Sequence, residues 1–126
     1  MSKSVLKDKS YLFAIRAVRL SQFLQSEKKE YVLSKQILRC GTAVGALLRE
    51  AEFAQSTLDF IHKVSVALKD ANEFEYWLNL INDTGYITSE LFISLQMDIK
   101  QLIAMLVSSI KTLKLKQSNE TRSKNK

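Results

Sequence analysis

Phe60-Ile-His-Lys-Val-Ser-Val-Ala-Leu-Lys-Asp-Ala-Asn-Glu-Phe-Glu-Tyr-Trp-Leu-Asn-Leu-Ile81 is the stretch that decides the fold of this chain. Phe60, Val64, Ala67, Ala71, Phe74, Leu78 and Ile81 recur at alternating steps of four and three, which puts them on one stripe of an α-helix. A stripe this long and regular is the seam of a helix packed nearly antiparallel to others in a bundle. Its start is marked by Ser56 followed three residues later by Asp59, a shortened capping box. Its end is marked by Asp83-Thr-Gly85, because glycine readily takes the left-handed conformation that closes a helix.

Outward from this segment, three further helices are predicted. The first spans about 5–26, with Leu6, Phe13, Ala17, Leu20 and Leu24 on its seam and Arg16 and Arg19 off it; the polar segment Ser26-Glu-Lys-Lys-Glu30 follows as a connection. The second runs from Ser34 as N-cap to Ala54 and buries Ile37, Cys40, Val44, Leu47 and Ala51. The fourth starts near Thr88 or Ser89, with Glu90 favourably placed in its first turn, and buries Phe92, Leu95, Ile99, Leu102, Leu106 and Leu113. The sequence has no proline and only three glycines, too few breaks for a fold built from tight turns. The expectation is an all-α, up-and-down antiparallel four-helix bundle over residues 1–116, followed by a basic, disordered tail over 117–126. Helical hairpins exchanged between two chains would satisfy the same pattern.

The net charge of +6 is unevenly placed. Residues 11–110 hold ten basic and eleven acidic side chains, whereas 111–126 hold six basic and one acidic. A balanced body with a basic end makes Lys111, Lys114, Lys116, Arg122 and Lys124 candidate nucleic-acid contacts, since lysine and arginine bind phosphate irrespective of sequence. The single Cys40 has no disulfide partner, the N-terminus lacks the features of a secretory signal, and no stretch reads as a membrane span. Together these give the expectation of a cytoplasmic protein with no membrane contact.

No catalytic, cofactor or metal motif is present in the sequence. His62 is the sole histidine, whereas metal sites in bundles draw on paired Glu-x-x-His units from facing helices. The expectation is a non-enzymatic protein. A helical toxin-type ribonuclease is the alternative, but that class pairs an arginine with a histidine four to six residues on, and here Arg49 precedes His62 by thirteen.

Several residues point instead to packing and assembly. Gly41 and Gly45, four apart within a helix, each cost about 1 kcal/mol relative to alanine, a cost that implies a closely approaching backbone. Asp59 with Lys63, and Lys69 with Glu73, stand four apart as helical charge pairs or as parts of a polar network fixing register. Ile93, Met97, Ala104 and Val107 form a second apolar line on the fourth helix, opposite its core seam, and Trp77 lies beside the seam of the third. Such a line implies a partner surface, and a homo-oligomer is expected.

The run Arg39-Cys-Gly-Thr-Ala-Val-Gly-Ala46, then Arg49-Glu-Ala51, Gln55-Ser-Thr-Leu-Asp-Phe-Ile61 with Lys63, Ala67-Leu-Lys-Asp-Ala-Asn-Glu73 and Tyr76-Trp-Leu78 resembles a bacterial family of four-helix bundle proteins encoded in intervening sequences of 23S ribosomal RNA genes. The resemblance implies a homopentameric ring or barrel. It also implies kinship with accessory proteins of diversity-generating retroelements, whose basic surface engages RNA and a reverse transcriptase. Carried onto this sequence, it marks Arg39, Gly41, Gly45, Glu50, Ser56, Asp59, Lys63, Glu73 and Trp77 as residues of structure or assembly rather than of catalysis, with RNA or an RNA-processing protein as partner.

Overall fold

The computed structural model describes residues 3–124. Four helices follow one another: α1 (Lys3–Glu27), α2 (Leu33–Ala51), α3 (Thr57–Asp83) and α4 (Ser89–Lys124). Each packs on the next, and α4 returns to α1 to close the bundle, with that last seam the most sparsely packed. The connections are short, so sequential helices are antiparallel neighbours, as in an up-and-down bundle.

The seams read from the sequence form one core. Leu6, Phe13, Ala17, Leu20 and Leu24 of α1 are buried, as are all the α3 seam residues from Val64 to Ile81; Phe60 is partly buried. Phe13 meets Phe74 edge to face, ring centroids 4.7 Å apart, at the junction of α1 and α3. Two details differ from the expectation. On α2 it is Leu48 that is buried while Leu47 is partly exposed, and on α4 Met105 joins the core while Phe92 and Leu113 pack at its margin.

The start of α2 also differs. Ser34 is not its N-cap: it lies inside the helix, fully buried against α1, where its carbonyl accepts a hydrogen bond from Ser21 Oγ at 2.9 Å. The capping function falls to Glu30, whose Oε1 accepts from the backbone N–H of Val32 at 3.0 Å and of Ser34 at 2.9 Å. The helix ends at Ala51, three residues short of the expected Ala54. Glu30→Ala therefore leaves two N–H groups without that acceptor and should lower stability by about 1 kcal/mol, the usual cost of a lost cap, in urea denaturation.

The ends of α3 follow the reading closely. Ser56 Oγ accepts from Asp59 N–H at 3.0 Å, and the Asp59 carboxylate accepts from Gln55 N–H at 3.2 Å, one residue earlier than in the usual box. At the other end Gly85 takes φ 82°, with Tyr86 N–H donating to Ile81 O at 2.9 Å and Gly85 N–H to Asn82 O at 3.1 Å, the paired bonds of a Schellman motif.

α4 is longer than expected. It stays helical through 117–124, where a disordered tail was anticipated, because this polar stretch contains no glycine or proline to stop it. Thr57 Oγ1 ties to Glu120 Oε2 at 3.3 Å, linking the end of α4 to the start of α3. By length and composition alone the stretch 89–123 of α4 could cross a membrane, a test that the core helix of a bundle also passes. In the bundle its inner face packs on the core, while Asp98 pairs with Arg16 at 2.6 Å and Lys100 with Glu75 at 3.0 Å.

Candidate functional site

Gly41 and Gly45 place α1 and α2 in close contact. A Cβ added to Gly41 would overlap the Cβ of Ala17 and press on the Phe74 ring at 3.1 Å; one added to Gly45 would lie 3.4 Å from the backbone oxygen of Ser10. Their cost to helix propensity is thus offset by an approach that larger residues forbid.

Where α2 faces α3, the polar candidates assemble. Arg39 donates through Nη2 to Glu73 Oε1, pairs with Asp70 Oδ1 at 3.6 Å, and reaches Gln36 Oε1 at 3.3 Å. Trp77 Nε1 donates to the same Glu73 oxygen at 3.4 Å, and its ring packs against the core margin. Two carboxylates thus share one guanidinium, and Asp70 also feels the positive charge of Lys69. Burial raises the Asp70 carboxyl above its ordinary value, against the lowering effect of Arg39 and with a further rise from Glu73. Beneath them Cys40 is fully buried, and desolvation, reinforced by Glu73, pushes its thiol up to about 12. A thiol so held is no nucleophile at neutral pH.

The charge pairs four apart are not those that form. Lys63 lies 4.0 Å from Glu50 across the helix boundary, Asp59 is engaged in capping, and Glu73 turns to Arg39 rather than Lys69. Of the candidate residues, Arg39, Glu73 and Trp77 meet in one network, Glu50 and Lys63 form a separate pair, and Gly41 and Gly45 face α1. All these contacts lie within one chain.

On α4, Lys111, Lys114 and Arg122 are exposed and lie three and eight residues apart, close to whole helical turns, so they share one face; Lys116 is exposed on another. The side chain of Lys124 lies outside the described residues. The second apolar line is exposed at Ile93 and Met97. His62 is exposed on α3, and among the described residues no three His, Cys, Asp or Glu side chains gather as a metal site would require.

One surface escaped the sequence reading. Tyr11 and Leu12 are more than half exposed and Ile15 more than a third, forming an apolar ridge on the outside of α1. Its signal was the run Tyr11-Leu-Phe-Ala-Ile-Arg-Ala-Val18, which carries more apolar residues than a single seam requires. Grooves lie on either side: one against α2, of about 810 Å³, and one against α4, of about 400 Å³.

No curated protein matches the chain. A solved structure does: a protein of unknown function of the S23 ribosomal protein family from Bacteroides thetaiotaomicron, 54% identical, with a TM-score of 0.86 over 88% of this chain and 99% of that one. The 23S rRNA-intervening sequence protein family matches residues 2–108, which span all four helices but stop short of the basic end of α4. By this match and by the four-helix bundle it shares with its solved relative, the chain belongs to the 23S rRNA-intervening sequence protein family.

Proposed function

We propose that this protein is a non-catalytic, self-assembling helical subunit, five copies to a ring as the family resemblance implies, that binds RNA through the basic ends of its α4 helices. One observation carries the RNA reading: residues 109–126 lie beyond the family match and hold six basic and one acidic side chain, +5 of the chain's +6, and α4 remains helical into this segment. A helix fixes the spacing of Lys111, Lys114 and Arg122, so they meet a phosphate backbone together rather than as separate flexible charges. Gathering several such ends in one ring multiplies the effect, because the second and later contacts become intramolecular.

RNA affinity measured against salt concentration tests this. The wild-type chain should bind a single-stranded RNA with a steep salt dependence, and K111E/K114E/R122E should flatten the slope by about 2, the change expected for three lost phosphate contacts. Unchanged affinity in that variant would refute the assignment. The same RNA should remain intact in both wild type and His62→Ala; cleavage that disappears with His62→Ala would instead favour the ribonuclease alternative.

A further inference from the structure

Phe53, in the connection between α2 and α3, is 80% exposed, and its ring belongs to neither the core nor its margin. The backbone holds it there: Phe53 N–H donates to Glu50 O at 3.0 Å and Ala54 N–H to Ala51 O at 3.1 Å. A single exposed apolar side chain is ordinary, so its surroundings decide what it means. The connection runs alongside the basic part of α4. Glu52 shares a small cavity of about 50 Å³ with Ser109, and Thr57 Oγ1 meets Glu120 Oε2 at 3.3 Å. Phe53 therefore stands beside the stretch that carries Lys111, Lys114 and Lys116, all exposed and without an ion pair among the described residues.

The acidic groups at this end of the bundle are engaged with other partners. Glu52 pairs with Lys7 at 2.8 Å, Glu50 lies 4.0 Å from Lys63, Asp59 caps α3, and Asp8 lines the α1–α2 groove together with Arg49. Glu120, which meets Thr57, is the one acidic residue against six basic ones in 109–126. The opposite end differs: its exposed Tyr31 follows Glu27, Lys28, Lys29 and Glu30, a balanced set.

We infer that Phe53 is a stacking platform for an unpaired base of the RNA held by the end of α4, so that this end of the bundle takes single-stranded RNA in preference to duplex. An aromatic ring beside a row of cations is the means by which proteins hold single strands: the cations track the phosphates and the ring takes the face of a base. Every base has such a face, whereas in a duplex both faces are covered by neighbouring bases. A bilayer would need a continuous apolar surface, but Phe53 is flanked by exposed Glu52, Gln55 and Ser56, which leaves room for one ring-sized partner. This inference rests on the RNA binding proposed above and specifies the form of RNA that is bound.

Oligouridylate, whose bases stack weakly on one another, and a duplex RNA of equal length are the probes. Phe53→Ala should weaken oligouridylate binding about tenfold and leave its salt slope unchanged, because a stacking contact carries no charge. Phe53→Trp should bind at least as well as wild type. Duplex binding should be the same in all three, and Tyr31→Ala, at the far end, should match wild type on both probes. Circular dichroism and solution mass should be unaltered in Phe53→Ala. Wild-type affinity of Phe53→Ala for oligouridylate, with the salt slope intact, would overturn the stacking role and leave RNA binding standing. So would an equal loss on duplex, or a fall in mass, which would make the ring a contact between copies. Binding of wild type to phosphatidylserine vesicles that disappears with Phe53→Ala would assign the ring to a membrane instead. A wild type that binds neither RNA would overturn RNA binding and this role with it.

Discussion

Gly41→Ala should lower the stability of the bundle by about 2 kcal/mol, and Ala17→Gly in the same chain should recover most of the loss. On helix propensity alone the substitution ought to stabilise, by about 1 kcal/mol. The packing reverses the sign: the new methyl would occupy the space of the Ala17 methyl, and Phe74 closes the other side. Neither neighbour yields cheaply, because the Ala17 Cβ moves only with its helix and Phe74 is fully buried against Phe13. Moving the methyl from one helix to the other restores the original volume. The comparison is read from urea midpoints at unchanged slope. A Gly41→Ala chain as stable as wild type would show that α1 and α2 are not held at this distance.

Phe74→Ala should cost about 3–5 kcal/mol, the larger of the two effects, and bring the bundle close to unfolding. Phe74 is among the largest fully buried side chains and is in contact range of three helices: its own, α1 through Phe13, and α2 at Gly41. Its loss leaves a cavity at the junction that those helices share. The neighbouring network of Arg39, Glu73 and Trp77 should loosen with it, since Glu73 and Trp77 flank Phe74 on the same helix. Thermal unfolding followed by circular dichroism measures the first effect. The near-ultraviolet signal of Trp77, the sole tryptophan, reports the second.

How legible the fold was in the sequence varied with the kind of signal. The α3 seam was readable because every core position obeys one period and both helix ends carry strong local markers, Ser56 and Gly85. The start of α2 was misread because Ser34 has the chemistry of a cap but the position of a core residue. The true cap is the carboxylate of Glu30, inside a segment whose charges looked interchangeable, and the preceding turn places Lys29 at φ 53° without a glycine to announce it. The length of α4 was underestimated for a related reason: polar composition was taken for disorder where no helix-breaking residue exists.

The candidate site was legible only in part. Arg39, Glu73 and Trp77 do meet, but their pairing across α2 and α3 cannot be read from spacing within either helix. The four-residue pairs that spacing favoured gave way to partners on the adjacent helix because those partners sit nearer in space. The α1 ridge was missed because Tyr11, Leu12 and Ile15 could be assigned to a core already supplied by Phe13 and Ala17. Only the packed bundle shows which of them are left outside.

The central claim is that the bundle is a subunit and not a finished object. The mass of the full-length chain in solution at micromolar concentration, measured by light scattering behind size-exclusion chromatography, tests it most directly. One closed assembly of five 14.4 kDa chains is expected. A single species of 14.4 kDa under the same conditions would contradict it.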